Sequence, residues 1–204
     1  MKLYYKPGAC SLSAHIVLNE IGADFEIDKV DTQNGRTENG EDFPTINPNG
    51  YVPALRLDDD AILFEAPAVL QYLAEQSKET NLLPPVGSVD RARVQQYLNF
   101  ISSELHKAFA PFFSDNPPQG AAHEAAVAKV ATKFDYIESL LSDGRSYVLG
   151  DTFNVADAYL FVIASWAGPT RIGLDRWPHL SGFVERVGER PSVVKSMRAE
   201  GLLN

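Results

Sequence analysis

Every strand-like segment of this 204-residue chain falls before residue 65, and nearly everything after residue 88 reads as helix. A chain that changes character this completely cannot run one sheet through its length. It is confined to a small α/β unit followed by a helical one. Residues 2–5 read as a strand and 11–21 as a helix, with Gly22 as its C-terminal stop. Phe25 to Val30 alternates apolar and polar positions like a second strand. Residues 35–46 are polar and weakly patterned, a short irregular helix and loop. Pro53-Ala54-Leu55-Arg56-Leu57 is a third strand, Asp58-Asp59-Asp60 a turn, and Ala61-Ile62-Leu63-Phe64 its hairpin partner. Glu65 to Glu75 is a helix with Pro67 in its first turn, where a missing N–H is tolerated. The expected order is β-α-β-α-β-β-α.

The stretch from Asn81 to Ser88, with Pro84, Pro85 and Gly87, is a linker by composition. Ser88 to about Phe113 is a long amphipathic helix, and residues 121–141 form another with Val127, Val130, Phe134, Ile137 and Leu141 at helical spacing. Val155 to Ala167 is apolar enough to be a buried core helix. Two shorter segments, broken by Pro178 and Pro191, close the chain. The expectation is an α/β domain over residues 1–80 and an all-helical domain over 88–204, with no internal repeat.

The charge sum of 18 basic against 27 acidic residues is −9, which argues against nucleic acid, because phosphate neutralisation needs a basic face. An anionic small ligand is still accommodated by a few backbone donors. A single cysteine, Cys10, excludes an internal disulfide and a multi-cysteine metal site, and fits a reducing, cytoplasmic compartment. The N-terminus lacks the apolar run of a signal peptide, and Val155–Ala167 is too short to span a bilayer.

Three places carry candidate chemistry. Cys10 stands between a strand and a helix, where unpaired N–H groups and the positive end of the macrodipole favour a thiolate. Cys10-Ser11-Leu12-Ser13 has the form of a C-x-x-C redox site whose second cysteine is serine, so it forms no internal disulfide but is open to a mixed one. A free cysteine is also commonly a small buried hydrophobe. Val52-Pro53 enters a strand and is a candidate cis peptide, which would turn the Val52 N–H and C=O outward toward an extended peptide; a plain strand start is the alternative. Glu65, opening a helix, offers free N–H groups to a carboxylate and its own side chain to an ammonium, or simply complements the dipole.

These elements occur in the order of a thioredoxin-like domain, and the chain resembles the glutathione S-transferases, most closely the bacterial beta class. The resemblance is carried by Lys2-Leu-Tyr-Tyr5, Pro7-Gly-Ala-Cys-Ser-Leu-Ser13, Asn47-Pro48, Val52-Pro53-Ala-Leu55, Gln71-Tyr-Leu-Ala74, Asn99, Glu104-Leu-His-Lys107, Ala156-Asp-Ala-Tyr-Leu-Phe161 and Glu189-Arg-Pro191. It implies a thioredoxin-like glutathione-binding domain followed by an all-helical domain contributing the electrophile cleft, assembled as a homodimer. The implied activity is conjugation of glutathione, as cosubstrate and without a metal, to a small hydrophobic electrophile, the chemistry of detoxification. Carried over by motif, Cys10 would contact or covalently bind the glutathione sulfur. Val52, followed by cis Pro53, would pair the cysteinyl backbone, and Glu65 with the Ala66 N–H would hold the γ-glutamyl end. Asn99, Ser103, Glu104 and His106 would complete the site, with His106 donating a hydrogen bond or proton. Cys10 ranks first among nucleophile candidates, then Ser11, then Tyr5, since related classes use serine or tyrosine hydroxyls. Tyr51, Phe109, Phe113 and Trp166 are candidate cleft residues, with core or dimer packing as the alternative.

The helix spacing bears on this independently. At about 100° per residue, Asn99, Ser103 and His106 share a polar stripe, with Val94, Tyr97, Leu98, Ile101, Leu105 and Phe109 roughly opposite. A solvated face explains the same stripe. Glu104 lies off it, which points to a different neighbour, such as a facing subunit. The chain departs from the family pattern at Ala66, where serine or glycine is frequent, and at Gly35, where many relatives have lysine. Arg36 follows that glycine, and its ability to replace the lysine is open. Asn49 and Tyr51 replace the usual lysine and glutamine. Asn154-Val-Ala-Asp157 replaces a capping motif that normally begins with serine or threonine; asparagine is an equally good cap, so these two residues belong to folding. Two other activities fit the same residues: a glutathione-dependent monothiol disulfide reductase or peroxidase acting through Cys10, and a non-catalytic binding protein on the same fold.

Overall fold

The structure is a computed structural model that describes residues 1–77 and 81–204. It divides into two compact units, Met1–Leu83 together with Glu189–Asn204, and Pro84–Gly188. The first unit contains β1 (Lys2–Tyr5), α1 (Ser11–Glu20), β2 (Glu26–Asp31), β3 (Arg36–Thr37), α2 (Phe43–Ile46), β4 (Ala54–Arg56), β5 (Ile62–Phe64) and α3 (Ala66–Gln76). The strands form a sheet in the order β3-β2-β1-β4-β5. β1 and β2 are parallel, with Leu3 opposite Ile27, because α1 carries the chain back over the sheet before β2 begins. β4 runs antiparallel to β1, and β5 to β4. The acidic turn closes that hairpin, with Leu57 N–H donating to the Ala61 carbonyl at 2.8 Å. This mixed sheet with α1 and α3 is the thioredoxin-like arrangement expected from the resemblance. On one side of it Tyr4, Val30, Phe43, Ile46, Val52 and Ala54 form a buried cluster.

The weakly patterned stretch holds an element the sequence reading missed. Arg36–Thr37 pairs antiparallel with β2, so the order becomes β-α-β-β-α-β-β-α. Two residues are too few for alternation to reveal a strand.

The second unit contains α4 (Val89–Phe100), a π-helical turn (Ile101–Leu105), α5 (His106–Phe109), a 3₁₀ turn (Ala110–Phe113), α6 (Ala121–Leu141), α7 (Val155–Ser165) and α8 (Pro178–Gly188). Ser88 caps α4, its Oγ accepting from Arg91 N–H at 3.1 Å. The single long helix expected here is thus a succession of pitches. It widens at Ile101–Leu105 and tightens where Pro111 removes a donor. Val155 to Ala164 are all buried. Asn154 Oδ1 accepts from Ala156 N–H at 2.9 Å, and Asp157 accepts from Asn154 N–H at 2.9 Å and Val148 N–H at 2.8 Å. No described helix is long and apolar enough to cross a membrane.

The last helix, α9 (Pro191–Ala199), differs from expectation in its allegiance. The sequence predicts a helical domain running to residue 204, but Glu189–Asn204 belongs to the first unit. There α9 packs on α1. Glu20 accepts from Arg190 and Ser192, Asn19 Nδ2 donates to Ser196 Oγ at 2.8 Å, and buried Glu200 meets His15 Nδ1 at 2.9 Å. Polar partners this far apart in sequence leave no local pattern. The expected boundary at residue 80 lies outside the described residues.

Candidate active site

Cys10 occupies the N-cap position of α1 and is 9% exposed. Two of the amides expected to face its sulfur are engaged inside the turn: Leu12 N–H donates to Ala9 at 2.9 Å and Ser13 N–H to Cys10 at 3.1 Å. The thiol donates to the Val52 carbonyl at 3.2 Å. Opposite influences therefore meet on one sulfur. The helix dipole favours S⁻, and the carbonyl favours S–H. Ser11 is fully buried, accepting from Lys6 N–H at 3.2 Å and donating to the Lys6 carbonyl at 3.3 Å. That gives it a structural place closing the turn after β1 rather than the nucleophile's place considered for it. Tyr5 is buried, and burial with the nearby Glu200 charge raises its phenol above the ordinary range. Tyr4, hydrogen-bonded to Glu41 at 2.9 Å, is likewise held protonated by burial. Neither phenol is poised to ionise.

The Val52-Pro53 peptide is cis. The Val52 side chain is anchored in the sheet's buried cluster, and its N–H makes no hydrogen bond among the described residues. The carbonyl differs from expectation, since it accepts from Cys10 instead of standing open. Glu65 precedes α3 with φ +65° and ψ 114°, a conformation a glutamate adopts only when its surroundings impose it. Its carbonyl accepts from Ala68 and Val69 N–H, both at 3.0 Å. Ala66 opens the helix, and its N–H is the one first-turn amide left without an acceptor among the described residues, since Pro67 carries none. Tyr51, considered as a cleft residue, instead donates its hydroxyl to Glu65 Oε1 at 2.5 Å. That bond raises the Tyr51 phenol above its ordinary range.

In the second unit, Asn99, Ser103 and Glu104 are exposed and His106 half-buried. The π turn lies between Asn99 and His106, so the uniform 100° spacing does not carry across it. Ser103 Oγ donates to the Asn99 carbonyl at 2.8 Å. The neighbour sought for Glu104 is Lys133 on α6, at 2.6 Å. His106 Nδ1 lies 2.8 Å from the hydroxyl of buried Tyr159 on α7, and its ring stands edge-on to Trp166 at 4.9 Å. Phe113 meets the same indole at 5.0 Å and is 54% exposed. Phe109 is fully buried between Trp166 and Phe134 and is core, not a cleft wall. His106, Trp166 and Phe113 thus form one aromatic corner with a titratable edge.

Residues 8–76 match the family model described as glutathione S-transferase, N-terminal domain, and residues 100–191 the one described as glutathione S-transferase, C-terminal domain. The chain belongs to the glutathione S-transferase family. Glutathione S-transferase GstA of Escherichia coli O157:H7 is 43% identical to it over 203 residues, covering 99% of this chain and 100% of the relative. A bacterial beta class glutathione S-transferase from Sphingomonas chungbukensis superposes with a TM-score of 0.95 at 41% identity over 100% of both chains. A sphingomonad glutathione S-transferase solved in complex with glutathione gives 0.94 at 44% identity, over 99% of this chain and 100% of that one.

This glutathione S-transferase explains some of its own departures. Gly35 has φ +66°, and a Cβ there would lie 3.2 Å from Pro44 Cδ, so a lysine would be strained in the present turn. Arg36 is directed to Asp42, at 3.7 Å. Two residues that hold the candidate side chains or their turns have no counterpart among the sequence-based expectations. Tyr159 holds His106. Glu200 accepts from the Gly8 amide at 3.0 Å, two residues before Cys10, and pairs with buried His15. A histidine within the apolar run of α1 was the available signal, since a buried imidazole requires a polar partner.

Proposed function

We infer that this chain is a glutathione transferase that joins the glutathione sulfur to the electrophilic carbon of a small hydrophobic substrate. The observation that carries the reading is the convergence, in the first unit of a family member, of the Cys10 thiol, the unpaired Val52 N–H and the Glu65 carboxylate at the start of α3. A tripeptide laid along the edge at Val52 would pair its cysteinyl backbone with that amide and place its γ-glutamyl ammonium at Glu65. Its sulfur would then lie at the start of α1 beside Cys10. The thiol loses its proton to solvent, the thiolate forms the C–S bond, and the leaving group departs with the bonding pair. His106, held by Tyr159, is our candidate for the hydrogen bond to sulfur or leaving group. Asn99, Ser103 and Glu104 are secondary contacts, and Trp166 and Phe113 the apolar partners of the electrophile. We place the working protein in the cytoplasm as a homodimer engaged in detoxification, consistent with its single cysteine outside any disulfide.

The test measures two activities of Cys10→Ala: conjugation to a chlorodinitrobenzene, and glutathione-disulfide exchange. Conjugation should persist in part, because the attacking sulfur belongs to glutathione, while exchange should disappear. Intact-protein mass spectrometry after incubation with oxidised glutathione should give a reductant-reversible adduct on the wild type only. A wild type that catalyses the exchange but not the conjugation, with the exchange lost in a folded Cys10→Ala variant, would instead make Cys10 the nucleophile of a disulfide reductase. Failure of the wild type to bind immobilised glutathione would point to a non-catalytic role.

A further inference from the structure

Tyr51 stands where the family pattern has glutamine, and its contacts are specific. The Tyr51 hydroxyl donates to Glu65 Oε1 at 2.5 Å. Oε1 is the Glu65 side-chain oxygen engaged, and Oε2 accepts no hydrogen bond among the described residues. A carboxylate gripped on one oxygen presents the other in a fixed direction.

Both ends of this contact are held by their backbones. Asn47, fully buried, donates from Nδ2 to the Tyr51 carbonyl at 2.6 Å, accepts on Oδ1 from Asn49 N–H at 3.0 Å, and accepts on its carbonyl from Gly50 N–H at 2.9 Å. Gly50, at φ +72°, lets the loop double back. Val52, next in the chain, is packed in the sheet's core. The Tyr51 phenol therefore projects from a braced loop, 43% exposed. Glu65 is braced by its imposed positive φ and by its carbonyl's bonds to Ala68 and Val69.

The chemistry of the pair selects a cation. A neutral phenol orients the carboxylate without cancelling its charge, whereas a lysine or arginine there would neutralise it. The same bond keeps the phenol protonated beyond its ordinary range, so the donor persists at neutral and mildly alkaline pH. A free glutamate side chain loses rotamer freedom when it binds; one already aligned loses less.

We propose that Tyr51 is a positioning residue that pre-aligns Glu65 for the ligand's α-ammonium group, and thereby makes the site selective for thiols bearing a free γ-glutamyl amine. The proposal rests on the reading of Glu65 given above, and the test separates the two. Steady-state kinetics with a chlorodinitrobenzene are measured for wild type, Tyr51→Phe, Tyr51→Gln and Glu65→Gln. Each is assayed with glutathione and with its desamino analogue, in which a glutaryl group replaces the γ-glutamyl group. One exposed hydrogen bond corresponds to roughly a two- to tenfold change in KM. Tyr51→Phe should raise KM for glutathione by that factor, with kcat changed less than about twofold, and should leave KM for the desamino analogue as in wild type. Tyr51→Gln, which retains a neutral donor, should recover part of the loss. An unchanged KM in Tyr51→Phe, or an equal rise for both thiols, overturns the proposal. If Glu65→Gln also leaves KM for glutathione unchanged, the reading of Glu65 itself fails. If Glu65→Gln raises KM and Tyr51→Phe does not, Tyr51 alone has been misassigned.

Discussion

The cap of α7 supplies a prediction whose sign runs against intuition. Asn154 is a good N-cap by type, and its Oδ1 accepts from Ala156 N–H at 2.9 Å. Yet the residue is 2% exposed, and its Nδ2 is buried with no hydrogen-bond partner among the described residues. The equality of asparagine with serine or threonine holds where the amide nitrogen can reach water. Here it cannot. Leaving such a group unsatisfied costs about 1–3 kcal/mol, while the cap bond itself is kept by a serine hydroxyl. Asn154→Ser should therefore stabilise the protein by roughly 0.5–1.5 kcal/mol once a small packing loss is subtracted. For a chain of this length that is an increase in Tm of about 1–6 °C. Asp157→Ala is the opposing control. Its fully buried carboxylate accepts from Val148 and Asn154 N–H at 2.8 and 2.9 Å, and removing it strands both donors. The cost is roughly 3–5 kcal/mol, a fall in Tm of about 6–20 °C. Differential scanning calorimetry at one fixed protein concentration reads both, since any oligomer makes Tm concentration-dependent. A Tm for Asn154→Ser below wild type, alongside a large loss for Asp157→Ala, would refute the idea that the buried amide nitrogen is a liability.

Tyr159→Phe removes the partner of His106 Nδ1 while preserving the ring contact between them at 6.2 Å. It should lower kcat by roughly two- to tenfold with little change in KM for glutathione, and shift the His106 imidazole resonances in nitrogen NMR; an unaltered kcat would show that the imidazole needs no such support. Gly35→Lys, which restores the family's usual residue, should cost about 1–3 kcal/mol, because the site requires φ +66° and leaves only 3.2 Å to Pro44, and a Tm equal to wild type would contradict that strain. Burial raises the phenols of Tyr4, Tyr5 and Tyr97. They keep protons that the unfolded chain releases above about pH 10, so stability should be intact below that pH and fall above it. Urea midpoints across that range should decline as unfolding releases tyrosinate absorbance, and a flat midpoint would mean these phenols ionise freely while folded.

How much could be read in advance follows from how far each interaction reaches. β1, α1 and the β4–β5 hairpin were legible because alternation, turn residues and a helix stop are local signals. Cys10 at the start of α1 and the Asn154–Asp157 cap were legible for the same reason, since both lie within one helical turn of what they act on. The pairs that hold the candidate residues or their turns, each within its own unit, are not local. Glu200 reaches back 192 residues to the Gly8 amide, and Glu104 crosses 29 residues to Lys133. The π turn at Ile101–Leu105 escaped because the apolar pattern of α4 continues smoothly through it, and the extra width is a property of the backbone. The Tyr51 hydroxyl's bond to Glu65 spans a hairpin and leaves no local pattern, so the sequence offers only the ring, which suggests an apolar contact.

A net charge of −9 is ill matched to a tripeptide that carries two carboxylates and one ammonium. The site's cations do little to relieve this. Position 35 is a glycine, and Arg36 is directed to Asp42. On the present reading the γ-glutamyl carboxylate falls to a backbone donor, the Ala66 N–H at the start of α3, while Glu65 takes the ammonium. Backbone dipoles fixed by the fold cost no side-chain ordering, and at the protein surface they are less exposed to screening than a mobile lysine. Glutathione affinity should therefore stay level or rise slightly between low and physiological salt, as screening relieves the repulsion. A steep decline would mean that long-range attraction to side-chain cations governs binding, and that the amide at the start of α3 is incidental.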